Sequence, residues 1–320
     1  MNKFNNLRKW LKLENDNIRM FEKNSRGIYS INDIKKGERI MEIPEKYILE
    51  YSNINNFEIT EKLNNTNSYF AIYLLLESFN KKSYWKIYLD SLPKNLSEYI
   101  YFFNSDKLSQ LKNTSIMCSK TYNFLEHMKY IKKDCITLYK WIIKKKLLDK
   151  NLMDYDSFFK LFLKFRIYIC SRIFSYTKNN NEENGIVPYA DLLNHSQNPN
   201  TTWYYDDTKN VFVVESTKNI KKNTEIYDSY GQKTNIQLIM YYGFSIKNNK
   251  FSKLNFIHEN KLFTLDYNTD KELITQKNII NKLKKILDHH TKKIKDNEIK
   301  DNNILNIYSD EINIIKKFIK

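Results

Sequence analysis

Strand-like and helix-like runs of apolar residues alternate along this 320-residue chain in four segments. The first segment opens with an amphipathic helix, predicted over residues 1–22, that places Leu7, Trp10 and Leu11 on one face, and it continues with short runs typical of strands. The second segment carries apolar residues at three- and four-residue spacing, which predicts helices. Strand-like runs return in the third segment, and helical spacing returns in the fourth. The predicted segments, in order, are 1–55, 56–180, 181–250 and 251–320.

The same spacing predicts the individual helices of the second and fourth segments. Ser68 stands where it can cap a helix over Tyr69–Phe79. A later helix over Asp156–Tyr176 is apolar on most sides and is expected to be buried. The polar run Lys178–Asn184 after it is expected to form an exposed loop. The remaining helices are predicted near 121–147, 270–293 and 303–319.

Two similar turns lead into strands at distant points of the chain. Residues 33–38 read Asp-Ile-Lys-Lys-Gly-Glu, and residues 219–226 read Asn-Ile-Lys-Lys-Asn-Thr-Glu-Ile. Gly37 can supply a positive φ angle in such a turn. Asn223 holds the equivalent place, and asparagine is enriched in the left-handed region among non-glycine residues. We interpret the similarity as two related turns before strands, not as a repeated domain.

The most informative stretch of the sequence runs from Gly185 to Gly231. An apolar approach ends in Asp-Leu-Leu-Asn-His-Ser at 191–196. Two runs rich in β-branched and aromatic residues follow, Thr201–Tyr205 and Val211–Thr217, with five polar residues between them. This arrangement predicts a β-hairpin with a longer loop. A short strand then ends at the final glycine of the stretch.

The formal net charge of +16 arises from 53 lysine and arginine residues against 37 aspartate and glutamate residues. Only six of the basic residues are arginine, and the lysines are dispersed along the chain. Basic proteins often bind nucleic acid, but an RNA-binding protein would be expected to cluster arginine and to present stacking aromatic residues on an exposed sheet. We therefore do not expect nucleic acid to be a partner.

Composition also bounds the setting of the protein. Aromatic residues at 15% and hydrophobic residues at 41% indicate a globular chain. No apolar run reaches 18 residues, so a membrane span is not expected, and the N-terminus lacks the apolar part of a signal peptide. Cys118, Cys135 and Cys170 are too widely spaced for a disulfide framework or a zinc motif. We expect no metal and a cytoplasmic or nuclear location. His289 and His290 lie in a lysine-rich run, where a solvated helix face is the expected role.

The motifs of the third segment resemble the C-terminal half of a SET domain, the fold of S-adenosylmethionine-dependent protein methyltransferases. Two matches carry this resemblance: Asp-Leu-Leu-Asn-His-Ser at 191–196 before a hairpin, and Tyr230-Gly231 about 35 residues later. Tyr-Tyr-Gly-Phe at 241–244 resembles a motif found in the branch of the family that contains the Rubisco large-subunit methyltransferase. The run Tyr-Trp-Lys-Ile-Tyr-Leu-Asp-Ser-Leu-Pro at 84–93 resembles an element of the helical insertion of that branch.

The resemblance implies an α+β fold with a β-rich SET core. This core would consist of short-stranded sheets with a pseudoknot-like threading of its C-terminal segment. A helical insertion would interrupt the core, and a helical C-terminal region would follow it. Relatives carry a substrate-binding lobe in that last region, and residues 251–320 are shorter than such a lobe, which predicts a reduced lobe or a continuing chain. The resemblance covers 25–44, 83–93 and 171–244.

The activity implied by the resemblance is methyl transfer from S-adenosylmethionine to a lysine of a protein substrate. A non-histone substrate is expected, because the chain lacks the cysteine-rich zinc segment of many histone-directed SET enzymes. Phe174 favours a lysine acceptor, since lysine-methylating relatives have an aromatic residue there and the histidine-methylating offshoot has a polar one. Three alternatives stay open: a histidine acceptor, a histone lysine, and a catalytically silent SET module that binds protein or nucleic acid.

The resemblance also implies roles for individual residues. Tyr230 matches the catalytic tyrosine, whose hydroxyl would orient the methyl group and the amine. Arg172 would bind the cofactor carboxylate, for which a guanidinium is suited. Relatives often have Glu-Gly where this chain has Asn24-Ser25. The implied cofactor-binding residues are Asn24, Ser25, Arg26, Arg172, Asp191, Asn194, His195, Tyr230 and Lys233. The implied residues of the acceptor pocket are Phe174, Asp191, Tyr242 and Phe244.

Overall fold

The computed structural model describes residues 3–21, 26–54, 59, 62–118, 123–149, 151 and 153–319, except for the side chain of Leu273. The chain divides into two compact units: Met1–Lys94 with Lys133–Gly231, and Asn95–Lys132 with Gln232–Lys320. Both units contain helices and strands, so the predicted α+β class is confirmed. The division differs from the four predicted segments, because part of the predicted helical insertion belongs to the same unit as the C-terminal residues.

Helices and short strands alternate along the described residues. In chain order the helices are α1 (Lys3–Leu11), α2 (Tyr51–Ile54), α3 (Asn67–Phe79), α4 (Lys86–Ser91), α5 (Ser105–Gln110), α6 (Ser115–Cys118), α7 (Phe124–Lys144), α8 (Tyr155–Cys170), α9 (Asn235–Tyr241), α10 (Lys277–Lys295) and α11 (Asn302–Phe318). The strands are β1 (Ile18–Phe21), β2 (Gly27–Ser30), β3 (Arg39–Pro44), β4 (Leu49–Glu50), β5 (Ile173–Lys178), β6 (Asn181–Ile186), β7 (Asn194–His195), β8 (Thr201–Asp206), β9 (Val211–Ser216), β10 (Glu225–Asp228), β11 (Lys253–His258) and β12 (Lys261–Asp266).

The helix predicted over residues 1–22 is too long, because α1 ends at Leu11 and strand β1 lies in the same range.

Small sheets of short strands form the β structure of the first unit. Their strand orders are β1-β2-β10-β7, β3-β9-β8 and β4-β6-β5. Neighbouring strands are antiparallel, except that β7 and β10 run parallel. Because β10 lies between β2 and β7, a strand from near the N-terminus and two strands from the third predicted segment share one sheet. The predicted SET core requires this long-range pairing.

The β8–β9 hairpin confirms the prediction made from the two aromatic and β-branched runs. Its register places Trp203 opposite Val214, and Tyr205 opposite Phe212. Strand β9 lies between β3 and β8. Phe212, Val213 and Val214 are consecutive and all buried. A run without alternation is typical of a strand that is covered on both faces.

The two similar turns pair with each other in the structure. The Ile34 backbone N–H donates to the Ile220 carbonyl at 2.8 Å, and the Ile220 N–H donates back to Ile34 at 2.9 Å. Gly37 has φ +80° and Asn223 has φ +62°. The left-handed conformation predicted for both turns is confirmed. Strands β3 and β10 therefore start from adjacent turns, although they are almost 190 residues apart in sequence.

The predicted buried helix over Asp156–Tyr176 is too long, and the predicted loop after it is a hairpin. Helix α8 ends at Cys170, and β5 then pairs with β6 over six residues each. Asn179 and Asn180 connect the strands with φ angles of +48° and +63°, and such a pair is typical of a two-residue hairpin turn. The mostly exposed residues of β6 give no hydrophobic signal from which a strand could be predicted.

Ser68 does not cap α3 as predicted, because it lies inside the helix. Its hydroxyl donates to Asp134 at 2.7 Å and accepts from Nε of Arg166 at 3.2 Å. All three side chains are buried. A buried polar side chain must find hydrogen-bond partners, so Ser68 joins α3 to α7 and α8.

The second unit contains a β-hairpin that the helical spacing of its sequence did not predict. Strands β11 and β12 pair over six residues each. Leu254 and Phe256 of β11 and Leu265 of β12 pack in a core with residues of α10 and α11. The helices predicted near 270–293 and 303–319 are confirmed as α10 and α11.

His290 is fully buried in the second unit, which contradicts the expectation of a solvated face. Its Nε2 lies 2.7 Å from Oε2 of Glu311, so the imidazole joins α10 to α11. The amphipathic spacing of α10 points this position inward, and the many lysines of the helix obscured that. Across the described residues, none of the helices combines the length and the apolar character needed to cross a bilayer. In the same residues no group of histidine, cysteine and acidic side chains is arranged to hold a metal ion.

Candidate active site

His195 and Tyr230 lie side by side where β7 and β10 run parallel. The pairing places Tyr227 beside Asn194 and Asp228 beside His195. The Tyr230 backbone N–H donates to Nδ1 of His195 at 3.0 Å, and the two rings stack with centroids 5.1 Å apart. Because Nδ1 accepts this hydrogen bond, the proton of a neutral His195 ring is on Nε2. The histidine and tyrosine of the two motifs, 35 residues apart in sequence, thus form one structural pair.

The hydroxyl of Tyr230 donates to the carbonyl of Leu193 at 2.7 Å. Tyr230 is therefore held by its backbone at His195 and by its phenol at the residue before β7. Two attachment points leave little rotational freedom for the ring. A tyrosine in this setting is suited to fix the position of a neighbouring group.

Asn194 joins the N-terminal strands to the centre of the site. Its Nδ2 donates to the Arg26 carbonyl at 2.5 Å and to Oε1 of Glu225 at 2.7 Å. Oε2 of Glu225 accepts hydrogen bonds from the hydroxyls of Tyr29 at 3.1 Å and Tyr227 at 2.7 Å. Glu225 was not among the predicted site residues. The period of a strand places it on the same face as Tyr227, which is the signal that could have identified it.

Arg172 and Asp191 form a buried ion pair, with 10% and 0% of their side chains exposed. Nη1 of Arg172 donates to the Asp191 carbonyl at 2.8 Å and to Oδ2 at 3.2 Å, and the Tyr88 hydroxyl donates to the same Oδ2 at 2.8 Å. Burial and the Asp191 charge hold the pKa of Tyr88 well above its usual range. Tyr189, two residues before Asp191, has φ +75° and ψ −44°, a conformation that a bulky residue rarely adopts.

Arg26 approaches the same region from the N-terminal side. Its Nη2 donates to the carbonyl of Ser91 at 3.1 Å, and its guanidinium lies 5.3 Å from the centre of the Phe4 ring. The positive charges of Arg172 and Arg26 both lower the pKa of Tyr88, against the larger effect of burial. Arg26 thus contacts α4, the helix that also carries Tyr88, whose hydroxyl donates to Asp191. Asn24 and Ser25, which were also predicted to bind the cofactor, lie outside the described residues.

Phe174 belongs to a buried aromatic cluster of the first unit. Its ring meets Trp203 at 5.4 Å and Phe212 at 5.2 Å, edge to face in both cases. Nε1 of Trp203 donates to Oδ1 of Asp228 at 3.1 Å. Burial raises the pKa of Asp228 to about 6, although hydrogen bonds from the Ser229 backbone and Trp203 oppose this rise. Since Asp228 pairs with His195 in the sheet, the cluster supports the strand on which the site is built.

Lys233, Tyr242 and Phe244 belong to the second unit, whereas the other described residues of the predicted site belong to the first. The Lys233 carbonyl accepts a hydrogen bond from Nδ2 of Asn249 at 2.9 Å. The rings of Tyr242 and Phe244 lie 6.3 Å apart. The structure thus brings together the first-unit residues Arg26, Arg172, Asp191, Asn194, His195 and Tyr230, and it places these three in the other unit.

The groups of the first unit fit S-adenosylmethionine by their chemistry. The methionine end of this cofactor bears a carboxylate and an ammonium, next to a sulfonium charge. Guanidinium groups such as those of Arg26 and Arg172 are well matched to a carboxylate. Oδ1 of Asp191 is buried and has no hydrogen-bond partner among the described residues, and such an acceptor beside the site suits a cation-bearing ligand. The residues present therefore fit the cofactor that the sequence resemblance implies.

Comparison with known proteins gives consistent matches. The family model of the SET domain matches residues 25–231. The ribulose-1,5-bisphosphate carboxylase/oxygenase large subunit N-methyltransferase of Nicotiana tabacum is 26% identical over 68% of this chain and 45% of its own length. A fructose-bisphosphate aldolase-lysine N-methyltransferase of Arabidopsis thaliana is 26% identical over 70% of this chain and 47% of its own. The chain thus spans about half the length of these relatives.

A solved structure shares the fold. The SET domain of LSMT bound to lysine and AdoHcy superposes with a TM-score of 0.71 over 99% of this chain and 90% of that one, at 19% identity. At this level of identity the likeness shows the architecture alone. It confirms the fold that the motifs around Asn194 and Tyr230 predicted.

Proposed function

Since this chain belongs to the SET domain family, we propose that it is an S-adenosylmethionine-dependent protein-lysine N-methyltransferase that acts on a non-histone protein. The observation that carries the proposal is the assembly of Asn194, His195 and Tyr230 from two distant motifs onto the parallel strands β7 and β10. The relatives named above, which methylate proteins, support the reaction class.

The residues of the first unit have distinct tasks in this reaction. When bound, S-adenosylmethionine supplies a methyl group that its sulfonium charge activates for direct displacement. Arg172 and Arg26 provide cations for its carboxylate, and Asn194 and His195 present the edge of β7 to it. Tyr230, fixed at both its backbone and its hydroxyl, orients the acceptor amine along the line of transfer. Such positioning accounts for much of the rate that an enzyme can supply in a displacement reaction.

The acceptor amine must be neutral when it reacts. A free lysine has a pKa of about 10.4, so its neutral form at pH 7 costs roughly 4–5 kcal/mol. Desolvation and a nearby positive charge both lower this pKa. The buried aromatic cluster around Phe174 provides an apolar surrounding in the first unit. We propose that this cluster borders the acceptor amine, and the aromatic residue at position 174, which lysine-methylating relatives share, is what favours lysine over histidine as the acceptor.

We further propose a cytoplasmic or nuclear location and no role for nucleic acid. Cys118, Cys135 and Cys170 are all free thiols, which agrees with a reducing compartment. The lysines behind the +16 charge are dispersed through the sequence. Fractionation of cells that express the tagged chain tests the location, and retention of the protein in a secretory fraction would contradict it.

The experiment that tests the activity is methyl transfer to proteins. The full chain is incubated with S-adenosylmethionine labelled in its methyl group and with a cell extract, and the proteins are then hydrolysed to amino acids. We expect the label in Nε-methylated lysine. Tyr230→Phe should reduce the incorporation by about 100-fold or more, because a small misplacement of the reacting groups can cost that much.

The other outcomes separate the alternatives. Label in methylhistidine would replace the lysine acceptor by histidine. Label confined to added histones would overturn the non-histone assignment. No incorporation by a folded protein would favour a silent SET module.

A further inference from the structure

The carboxylate of Glu225 joins three neighbouring strands beside the proposed cofactor site. Tyr29 of β2 and Tyr227 of β10 both donate to its Oε2, and Asn194 of β7 donates to its Oε1. The hydrogen bond to Glu225 is the main reason why the pKa of Tyr227 is raised to about 12. Hydrogen bonds to an ionised carboxylate are roughly twice as strong as neutral ones, so this junction is well suited to fix the side chains that meet in it.

The acceptors around Asn194 determine which way its amide faces. Nδ2 points at two groups that can only accept, the Arg26 carbonyl and the Glu225 carboxylate. The flipped amide would set its oxygen against both of them, and two hydrogen bonds would be replaced by two repulsions. Oδ1 is therefore directed away from Glu225, and no described residue donates to it. The amide oxygen remains an acceptor for a bound ligand.

Gly27 leaves the space in which the carboxylate sits. A Cβ atom added to this residue would overlap with Oε1 of Glu225 and would lie 3.0 Å from Nδ2 of Asn194. The φ angle of Gly27 is not positive, so alanine is compatible with the backbone of β2. The requirement at this position is therefore steric. Alanine at position 27 would displace the carboxylate, and with it the partner of the Asn194 amide.

We propose that Glu225 is a positioning residue of the S-adenosylmethionine site, which holds the Asn194 amide with its oxygen available to the cofactor, and that Gly27 provides the space this requires. The inference rests on the proposed function. It makes Glu225 act through Asn194, without contact to the cofactor. It also predicts that a substitution of Gly27 on β2 and a substitution of Glu225 on β10 weaken cofactor binding in the same way, through the Asn194 amide.

Calorimetric titration with S-adenosylhomocysteine tests the inference on the full chain. The variants are Glu225→Ala, Glu225→Gln, Gly27→Ala and the double variant Gly27→Ala/Glu225→Ala. Glu225→Ala and Gly27→Ala should each weaken binding by about tenfold or more, the range expected when a hydrogen bond to a charged group is lost. Glu225→Gln should recover part of the affinity, because its amide oxygen can still accept from Asn194.

The double variant tests whether the two positions act through one carboxylate. With the carboxylate gone, the added methyl group no longer overlaps with it, and only the 3.0 Å approach to Nδ2 of Asn194 remains. The Asn194 amide can yield to that contact once Glu225 no longer holds it, so the double variant should bind nearly as Glu225→Ala does. Glu215→Gln is the matched control, since Glu215 accepts a tyrosine hydroxyl, that of Tyr204, elsewhere in the same unit at 3.2 Å. We expect this control to bind with wild-type affinity.

The titration separates positioning from a merely structural role. A folding defect lowers the number of binding sites per chain and leaves the dissociation constant of the folded fraction unchanged, whereas the inference predicts a changed dissociation constant at full occupancy. Wild-type affinity in Glu225→Ala would overturn the role of Glu225 and leave the proposed function standing. Additive losses in the double variant would overturn the role of Gly27. No binding by the wild-type chain would overturn the proposed function together with this inference.

Discussion

Each unit of the protein buries a polar pair that joins two neighbouring elements of its fold. In the first unit this pair is Arg172 and Asp191, and in the second it is His290 and Glu311. Both are almost inaccessible to water, and both carboxylates accept a further hydrogen bond, from the Tyr88 hydroxyl in one case and from the Ser115 backbone in the other. The chemistry of the two pairs is thus closely similar.

Their surroundings differ. Arg172 lies two residues beyond the end of α8, and Asp191 lies in the turn that leads into β7, so the first pair sets the approach to Asn194. The second pair joins α10 to α11, and the His290 ring packs on Tyr308 with centroids 4.5 Å apart. A buried polar pair on its own therefore does not indicate function. Function is indicated by the element that the pair positions, which is β7 in the first unit and a helix pair in the second.

The largest effect is expected from breaking the first pair. Asp191→Ala leaves a buried guanidinium without its carboxylate, and loss of one partner of a buried ion pair costs about 3–5 kcal/mol. The change should lower the melting temperature and also weaken binding of S-adenosylhomocysteine by about tenfold or more, because it disturbs both a cation and the turn ahead of β7. Melting curves and calorimetric titration measure the two effects. A variant that melts early but binds normally would remove this pair from the site.

The second pair should affect stability alone. Glu311→Ala leaves the Ser115 N–H and the His290 ring without their partner, and each buried group left unsatisfied costs about 1–3 kcal/mol. We expect a clear fall in melting temperature, with the affinity of the folded fraction for S-adenosylhomocysteine unchanged. This variant is the matched counterpart of Asp191→Ala. A higher dissociation constant in Glu311→Ala would show that the second pair also affects the cofactor site, against the difference proposed between the two units.

The pH dependence of stability offers a finer comparison, because each unit buries an aspartate. Burial raises the pKa of Asp228 in the first unit and of Asp310 in the second to about 6, from 3.8. The folded state therefore holds these protons more tightly than the unfolded state does. Each aspartate stabilises the fold fully only below about pH 4, and this contribution is lost as the pH rises through about 6. One such rise in pKa corresponds to about 3 kcal/mol at most.

Replacement by asparagine removes this dependence in each unit. Urea unfolding between pH 4 and 7.5 should show a shallower decline for Asp228→Asn and for Asp310→Asn than for the wild type. Asp228→Asn should also weaken binding of S-adenosylhomocysteine, because the Asp228 carboxylate accepts hydrogen bonds from Trp203 and from the Ser229 backbone next to Tyr230, and an amide accepts them more weakly. Asp310→Asn should leave the affinity unchanged. An unchanged slope in both variants would show that neither carboxyl takes up a proton in this range.

The sequence predicted the parts of the molecule in which chemistry or backbone geometry restricts the choice of residue. The left-handed conformation of Gly37 and Asn223 could be predicted because few residues tolerate a positive φ angle. The motifs that contain Asn194, His195 and Tyr230 could be recognised because each extends over several residues, and the structure brings the three residues together. The role of a single residue could not be predicted from the sequence when that role depends on contacts that form only in the folded protein. Glu225 is one acidic residue in a short strand, and only the packing of β2, β7 and β10 gives it its partners.

Two hairpins and the burial of one histidine were not predicted for a related reason. The β6 strand carries mostly polar residues, so the turn residues Asn179 and Asn180 were the only local signal of a hairpin. The β11–β12 hairpin lies in a lysine- and asparagine-rich region whose helical spacing dominated the prediction. His290 was assigned to a solvated face because of the many lysines around it, although its position in the amphipathic pattern of α10 places it on the buried side. In each case tertiary packing decided against the local pattern.

We propose above all that β7 and β10 form an S-adenosylmethionine site. Calorimetric titration of S-adenosylhomocysteine into the wild-type chain and into Asn194→Ala tests this proposal. We expect micromolar binding to the wild type and loss of binding in the variant, with both proteins melting cooperatively. If the folded wild-type chain does not bind, or if the variant binds as the wild type does, β7 and β10 do not form this site.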